Sequence, residues 1–348
     1  MDQVWPQRAE RLQESLSRYF GPRLRLPWTR PLRNWHPASV TDFKSLNYWW
    51  LAHAIEARLD GCERDGSRHR LEQAERIFRY VVWRNGRSLF NDYFDDMGWM
   101  GIAALRLADL TGSDRYRQAA AALWHHVRER GWNETAGGGI AWRKQQPYYK
   151  NTPSNGTFVI LGTRLYRRSG EAAYLDWSTR AFDWLDETLR RPDGFIEDGI
   201  NRQKDGRVDD WKFSYNQGLY IGACAELSAI GRAELTARAF ATERAAFAEL
   251  AVDGVPDDRG DGGDVALFKG VWYRYAAQLA MSAGAANDDS ERVRANLIAG
   301  CDTLWARALD GDDLLAGLDW HKPASGRIPL SAQLAAVIAT EACARLAW

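Results

Sequence analysis

The stretch LADLTGSDRYRQAAAAL (107–123) contains the pattern that decides the fold of this chain. Its first residues end an apolar helix, and its last residues show the i, i+3, i+4 spacing of an amphipathic helix. Gly112 stands at the break between the two, where glycine supplies the left-handed conformation that ends a helix. The stretch therefore predicts a helix hairpin.

The same order of features recurs along the chain. LYRRSGEAAYLDWSTRAF (165–182) and ELSAIGRAELTARAF (226–240) repeat it, and weaker copies occur at 58–78 and 279–297. Two sets of helices are predicted: apolar ones starting near Leu46, Asp96, Ser154, Tyr215, Val265 and Pro329, and amphipathic ones starting near Gln7, His69, Asp114, Glu171, Arg232 and Asp288. We find no alternating run long enough to require a sheet core.

Six helix pairs predict an all-α (α/α)6 barrel, a six-hairpin toroid that forms one domain over residues 1–348. The apolar helices would form the inner ring and the amphipathic helices the outer one. An open helical solenoid is the alternative, but six pairs without a polar capping repeat favour closure. The segments that precede the inner helices are rich in Trp, Tyr, Asn and Asp, so a funnel suited to hydroxyl-rich ligands is expected where they meet.

The balance of positive and negative residues argues against two classes of binding partner. The chain has 46 Lys and Arg against 46 Asp and Glu, which gives a formal net charge of zero. A neutral chain has no net field to attract nucleic acid or an acidic membrane, so neither is expected as a partner. The N-terminal residues lack the features of a signal peptide. The protein as given is expected to be cytoplasmic unless an export signal was removed, and its oligomeric state is left open.

The sequence shows no motif that predicts binding of a cofactor or a metal ion. The four cysteines are far apart and form no C-x-x-C pair, so we expect them to be reduced and buried. No cluster of metal ligands emerges, and no cofactor is predicted.

The 17 Trp residues are the one abnormal number in the composition. Trp combines a large flat apolar face with a polar edge, so it serves both cores and ligand surfaces. Five lie near the predicted inner-helix starts and are candidates for stacking on sugar rings: Trp132, Trp142, Trp211, Trp272 and Trp320. Five others lie on outer-helix patterns and are expected to pack between helices: Trp83, Trp124, Trp177, Trp184 and Trp305.

Asp95 and Asp96 open one of the predicted inner helices. Asp is a common helix cap, so a structural role is one interpretation. Two adjacent carboxyls amid aromatic residues also suit catalysis, because two acids forced together cannot easily both ionise and one becomes a proton donor. Glycoside hydrolysis needs such a pair.

Further polar residues lie at the predicted inner-helix starts or in a loop rich in glycine. Asp198, in GFIEDGI (194–200), could orient sugar hydroxyls or form a simple Asx turn. Six other polar residues lie at inner-helix starts, and each alone could be a helix cap or a solvated side chain. Their equivalent places in the repeat favour a shared site: Lys150, Asn151, Asn155, Asn216, Gln217 and Lys269.

Taken in order, several motifs resemble glycoside hydrolase family 76, the endo-α-1,6-mannanases. They are YFDDMGWMGIAALRLADLTG (93–112), GWNETAGGGIAWRKQQPYYKNTPSNGTFVILGTRLYRRSG (131–170), DGI (198–200), YNQGLYIGA (215–223) and FKGVWYRY (268–275). The likeness runs from about Tyr48 to the C-terminus. The Asp-Asp motif alone is weak, but the ordered set is specific.

This resemblance implies an (α/α)6 barrel that hydrolyses α-1,6-linked mannose backbones or oligosaccharides with retention. It implies that Asp95 is the nucleophile, that Asp96 is the general acid/base and that Asp198 binds the attacked mannose. Residues in the family's cleft motifs are then expected to bind substrate: Trp142, Lys150, Asn155, Tyr215, Asn216 and Gln217. Trp99 lies one turn beyond the carboxyl pair and is either a sugar platform or a support for the pair.

Several rival functions remain open at this stage. Within the family they are transglycosylation and exo-acting α-1,6-mannosidase activity, and outside catalysis a mannan-binding toroid without turnover. The acidic run 92–96 superficially resembles the metal-binding motif of helical terpene synthases, but it has the wrong order and no partner motif. His321 is the one His at an inner-helix start, which gives little support to a His-dependent sugar epimerase.

Overall fold

The computed structural model of this chain describes residues 4–22, 29–260, 263–282, 287–309, 311 and 313–347. Within them lie twelve α-helices. Their bounds are α1 Val4–Phe20, α2 Tyr48–Asp65, α3 Arg68–Arg84, α4 Phe94–Thr111, α5 Asp114–Gly131, α6 Thr152–Ser169, α7 Ala172–Leu189, α8 Ser214–Ser228, α9 Leu235–Leu250, α10 Val265–Ser282, α11 Asp288–Thr303 and α12 Leu330–Leu346.

Seven short strands accompany the helices in the described residues. Their bounds are β1 Trp35–His36, β2 Ala141–Arg143, β3 Gln146–Asn151, β4 Gly199–Ile200, β5 Ala251–Val252, β6 Val255–Pro256 and β7 Ile328–Pro329. All pairing is antiparallel: β1 with β7, β5 with β6, and β2 with β3 with β4 in a three-stranded sheet.

The helix breaks have the predicted cause. Gly66, Gly112 and Gly170 follow α2, α4 and α6 with φ values of 72°, 67° and 72°, and each backbone N–H bonds to the carbonyl four residues earlier. Only glycine adopts this left-handed conformation without strain. All twelve helices begin within three residues of the predicted positions. The break in the copy at 279–297 includes residues 283–286, which lie outside the described residues.

Helices α2, α4, α6, α8, α10 and α12 are buried on nearly all sides over most of their length, whereas the other six bury one face. This is the division that the apolar and amphipathic patterns predict. Within the described residues, no helix is both long and apolar enough to cross a bilayer.

Contacts group the chain into two compact units, Met1–Arg87 with Ala251–Trp348, and Ser88–Leu250. The single domain over 1–348 stays a prediction. In the first unit, α12 packs against α1, α2 and α10. A Cβ on Gly270 would lie 2.8 Å from the Cα of Ala335, so the absent side chain lets α10 and α12 approach closely.

The second unit contains the three hairpins α4–α5, α6–α7 and α8–α9, and α6 packs against both α4 and α8. Glycines again allow the close approach, since a Cβ on Gly98 or Gly101 would collide with Thr157 or Leu161 of α6. This contact fixes the helix that carries Asp95 and Asp96.

The cysteines largely follow expectation. Cys224, Cys301 and Cys343 are buried. Cys62 is partly exposed, which corrects the prediction that all four are buried, because it lies in the last turn of α2 beyond that helix's buried stretch.

Candidate active site

Asp95 and Asp96 lie in the first turn of α4, each partly exposed. The backbone N–H of Asp96 donates to Oδ1 of Asp95 over 2.9 Å, and the indole Nε1 of Trp142 donates to Oδ2 over 3.1 Å. Asn91 donates its Nδ2 to Oδ2 of Asp96 over 3.0 Å. Capping accounts for one of the bonds to Asp95. The indole bond goes beyond capping and orients the carboxylate.

The surroundings of Asp95 raise its pKa to about 7, chiefly because burial disfavours the charged form. The hydrogen bonds from Asp96 and Trp142 favour the anion and oppose that rise, while the negative charge of Asp198 adds to it. Asp95 therefore changes its protonation state near neutral pH, as groups that take part in catalysis commonly do.

Asp198 is the centre of a buried polar cluster, with only 3% of its surface exposed. Tyr149 Oη and Arg202 Nη2 donate to its Oδ2 over 2.8 and 3.1 Å. Tyr215 Oη and Asn216 Nδ2 donate to its Oδ1 over 3.2 and 3.0 Å. These four side chains hold the carboxylate, so Asp198 has a larger role than an Asx turn. Burial raises its pKa, and the donors oppose the rise.

The three-stranded sheet brings the residues around Asp95 and the residues around Asp198 together. Ala141 of β2 pairs with Lys150 of β3, and Asn151 of β3 pairs with Gly199 of β4. Trp142 thus follows the first pair, and Asp198 precedes the second. A Cβ on Gly199 would lie 2.5 Å from Tyr149 Oη and 2.6 Å from the Lys150 carbonyl oxygen, so glycine is needed for this pairing.

Lys150 is completely buried, and its Nζ donates to the carbonyl oxygens of Asn133 and Gly139 over 3.2 and 2.7 Å. Burial lowers its pKa to about 7. The amine therefore holds the loop that leads into β2. Its predicted contact with substrate stays a prediction.

Two predicted site residues bind the backbone of neighbouring loops through their side-chain amides. Asn155 exchanges hydrogen bonds of 2.8 and 3.0 Å with the N–H and C=O of Ile140. Gln217 does the same with Ile196, over 2.8 and 2.6 Å. Both are the fourth residue of their helix, α6 or α8. The polar residues at these equivalent places thus pin the segments that lead to Trp142 and Asp198.

The tryptophans divide differently from the prediction. Trp99 is 4% exposed, which favours a supporting position in α4 over a platform. Trp272 and Trp320, predicted for stacking, are buried at 1% each because helix packing encloses them. Trp83, predicted to pack between helices, is 55% exposed because it lies near the end of α3.

Two residues of the cluster were missed by sequence reasoning, namely Tyr149 and Arg202. Tyr149 lies inside the motif quoted at 131–170, so the sequence carried a signal there. Arg202 lies in a loop without a pattern. In the described part of the chain, no group of three His, Cys, Asp or Glu side chains is placed to hold a metal ion.

A carboxylate pair beside a third carboxylate surrounded by tyrosine, asparagine and tryptophan defines a class of site that binds polyhydroxylated ligands and moves protons on them. The chain belongs to glycosyl hydrolase family 76, whose sequence model matches residues 28–345. The predicted family is confirmed.

Solved structures similar to this chain agree with that assignment. The Lin0763 protein from Listeria innocua is 40% identical, with a TM-score of 0.93 over 99% of this chain and 97% of that one. The GH76A α-1,6-mannanase from Salegentibacter sp. HEL1_6 is 34% identical, with a TM-score of 0.90 over 98% and 99%. An inactive variant of it with two consecutive aspartates replaced by alanine was solved with α-1,6-mannotetraose. The predicted all-α (α/α)6 fold class is confirmed.

A curated relative is the mannan endo-1,6-alpha-mannosidase DCW1 of Candida glabrata, 29% identical over 215 residues. The match covers 54% of this chain and 47% of that protein, so this chain spans about half the length of the curated relatives it matches.

Proposed function

We propose that this chain hydrolyses α-1,6-linked mannose chains with retention, through a covalent mannosyl intermediate on Asp95. The observation that carries the proposal is the Asp95 carboxylate, oriented at the start of α4 by Trp142 and close enough to Asp198 for their charges to interact. The names of the Salegentibacter and Candida relatives support the linkage and the sugar. The inactive variant with two altered aspartates supports a catalytic role for an Asp-Asp pair.

In the first step, a carboxylate oxygen of Asp95 attacks the anomeric carbon of a mannose held by Asp198. The bond to the glycosidic oxygen breaks, and Asp96 gives that oxygen its proton, so the shortened chain leaves as an alcohol. In the second step, Asp96 takes a proton from water, and the water oxygen displaces Asp95 from the anomeric carbon. Two inversions leave the product with its original α configuration.

Rescue with azide distinguishes the proposed roles of Asp95 and Asp96 by the configuration of the product. We expect Asp95→Ala and Asp96→Ala each to lower kcat on α-1,6-mannotetraose by about 10³-fold or more. With azide, Asp95→Ala should form β-mannosyl azide, because azide attacks directly with one inversion. Asp96→Ala should form α-mannosyl azide from α-mannosyl fluoride, because fluoride leaves without a proton from Asp96 and the intermediate on Asp95 still forms. NMR of the products distinguishes the two.

The opposite azide configurations would reverse the two roles, and undiminished hydrolysis in either variant would contradict the proposal. Binding of the tetraose by wild type without any turnover would indicate the non-catalytic alternative. Products longer than the substrate would identify transglycosylation, and release of single mannose units from one end would identify exo action.

Loss of activity must be separated from loss of folding, and Asp95→Asn provides the control. Because the folded state raises the pKa of Asp95 from 3.8 to about 7, this carboxyl destabilises the fold increasingly from about pH 4 to about pH 7, by its full amount above that range and not at all below it. The variant should therefore be more stable than wild type by about 1–3 kcal/mol at pH 8, with the difference vanishing toward pH 4. Thermal unfolding at both pH values measures it.

A further inference from the structure

Trp211 lies in the loop between β4 and α8 and is 47% exposed. One face of its indole is covered by Arg202, whose Cζ lies 4.0 Å from the ring centroid. Phe213 meets the ring at 67° with centroids 6.1 Å apart, an edge contact that covers less of the indole than a stacked ring would. The indole therefore offers a partly exposed apolar surface that Arg202 supports from one side.

The support beneath this surface is well fixed. Nε of Arg202 bonds to Asp209 Oδ2 over 2.8 Å, and Nη2 bonds to Asp198 Oδ2 over 3.1 Å. The guanidinium also stacks on Tyr149, with Cζ 4.1 Å from that ring centroid. Arg202 is thus enclosed between two aromatic rings and held by two carboxylates, an arrangement favoured by the planar guanidinium.

The position of Trp211 relative to Asp198 indicates which ligand the exposed indole could bind. The Arg202 guanidinium contacts both side chains, so Trp211 lies near Asp198. An exposed tryptophan costs hydrophobic stabilisation, whereas Trp320 and Trp272 are buried within helix packing. A pyranose ring carries C–H groups on one face and fits such an indole.

We propose that Trp211 is a sugar-binding platform that stacks its exposed surface on a mannose ring next to the one held by Asp198. This inference rests on the proposed function, because it takes the α-1,6-mannose chain as the ligand. The platform adds affinity for longer chains and takes no part in bond cleavage.

The test measures binding in a background without turnover, the Asp95→Asn, Asp96→Asn double variant. Isothermal titration gives the affinity for α-1,6-mannotetraose, and NMR titration gives that for methyl α-mannoside, which occupies a single sugar site. We expect Trp211→Ala to weaken tetraose binding about tenfold and methyl mannoside binding less than about twofold. Trp211→Phe should retain most of the tetraose affinity.

Trp83→Ala is the matched control, because Trp83 is also an exposed tryptophan, 55% exposed on α3. It should leave the tetraose affinity unchanged. Equal tetraose affinity in Trp211→Ala and its parent would overturn the platform. Equal losses for tetraose and methyl mannoside would also overturn it, since Trp211 would then act only by positioning Arg202 and Asp198. Failure of the parent to bind any α-1,6-mannooligosaccharide would instead overturn the proposed function.

Discussion

At the scale of single residues, the indole of Trp142 is the side-chain donor that opposes the effect of burial on Asp95. Its Nε1 donates to Oδ2, and this bond lowers the pKa of a carboxyl that burial raises to about 7. A hydrogen bond to a charged group is worth more than one between neutral groups. Trp142 therefore keeps Asp95 ionised at a lower pH than burial alone would allow.

We predict that Trp142→Phe moves the acidic limb of the pH profile of kcat/KM to higher pH by about 0.5–1. Loss of the donor destabilises the anion, so the pKa of Asp95 rises and a higher pH is needed to ionise it. Initial rates on mannotetraose between pH 5 and pH 9 measure this.

Trp177→Phe is the control for that profile, since Trp177 packs edge to face on Trp132 of the same unit. It should leave the acidic limb in place. A limb that moves to lower pH in Trp142→Phe, or that stays fixed, would mean that the indole does not tune Asp95.

Three residues show that the type of a side chain does not by itself indicate what it binds. Lys150, Asn155 and Gln217 are the kinds of residue that bind sugars, and their places in the repeat are real. Their polar groups nevertheless point to backbone atoms of loops, because buried carbonyl and N–H groups there need partners. Sequence spacing predicted that these residues matter, but it did not indicate which partner each one has.

At the scale of elements, the helices were predictable and the strands were not. Each helix is a continuous apolar or amphipathic pattern of 15 or more residues, whereas the longest strand has six residues and β4 has two. Such short strands show no alternation that could be read. Yet β3 and β4 are what join Tyr149 to Asp198 across 49 residues of chain.

We predict that Gly199→Ala separates β3 from β4 and weakens the cluster around Asp198. The new Cβ would lie too close to the Lys150 carbonyl oxygen and to Tyr149 Oη, so one strand must shift. The free energy of unfolding should fall by about 2–4 kcal/mol, and kcat/KM should fall with it. Urea unfolding and initial rates provide the two values.

Gly206→Ala serves as the comparison for this substitution. Gly206 has a φ of 72°, but a Cβ added to it would meet no atom within 4 Å, so the only cost is backbone strain of about 1 kcal/mol. Equal losses of stability in the two variants would show that crowding between β3 and β4 is unimportant.

At the scale of the whole molecule, the balance of charge fits the proposed ligand. The formal net charge is zero, and a mannose chain carries no charge. Without a long-range field between enzyme and substrate, encounter depends on diffusion and on short-range contacts.

We therefore predict that kcat/KM on mannotetraose changes less than about twofold between about 50 mM and about 500 mM NaCl. The ion pairs of Arg202 with Asp198 and Asp209 are largely shielded from solvent, so salt screens them weakly and the cluster should persist. A decrease of tenfold or more would mean that an exposed charge contributes to binding. Circular dichroism at both salt concentrations checks that the fold is unchanged.

The sequence by itself determined the order and the approximate starting residues of the helices, because the apolar patterns and the glycine breaks are local features of the chain. It also placed Asp95 and Asp96 at the start of α4, and the ordered motifs identified the family. The tertiary structure alone decided that Tyr149, Arg202 and Tyr215 surround Asp198 and that Trp142 reaches Asp95. These contacts join residues distant in the chain, and the raised pKa of Asp95 arises from burial, which no local pattern encodes.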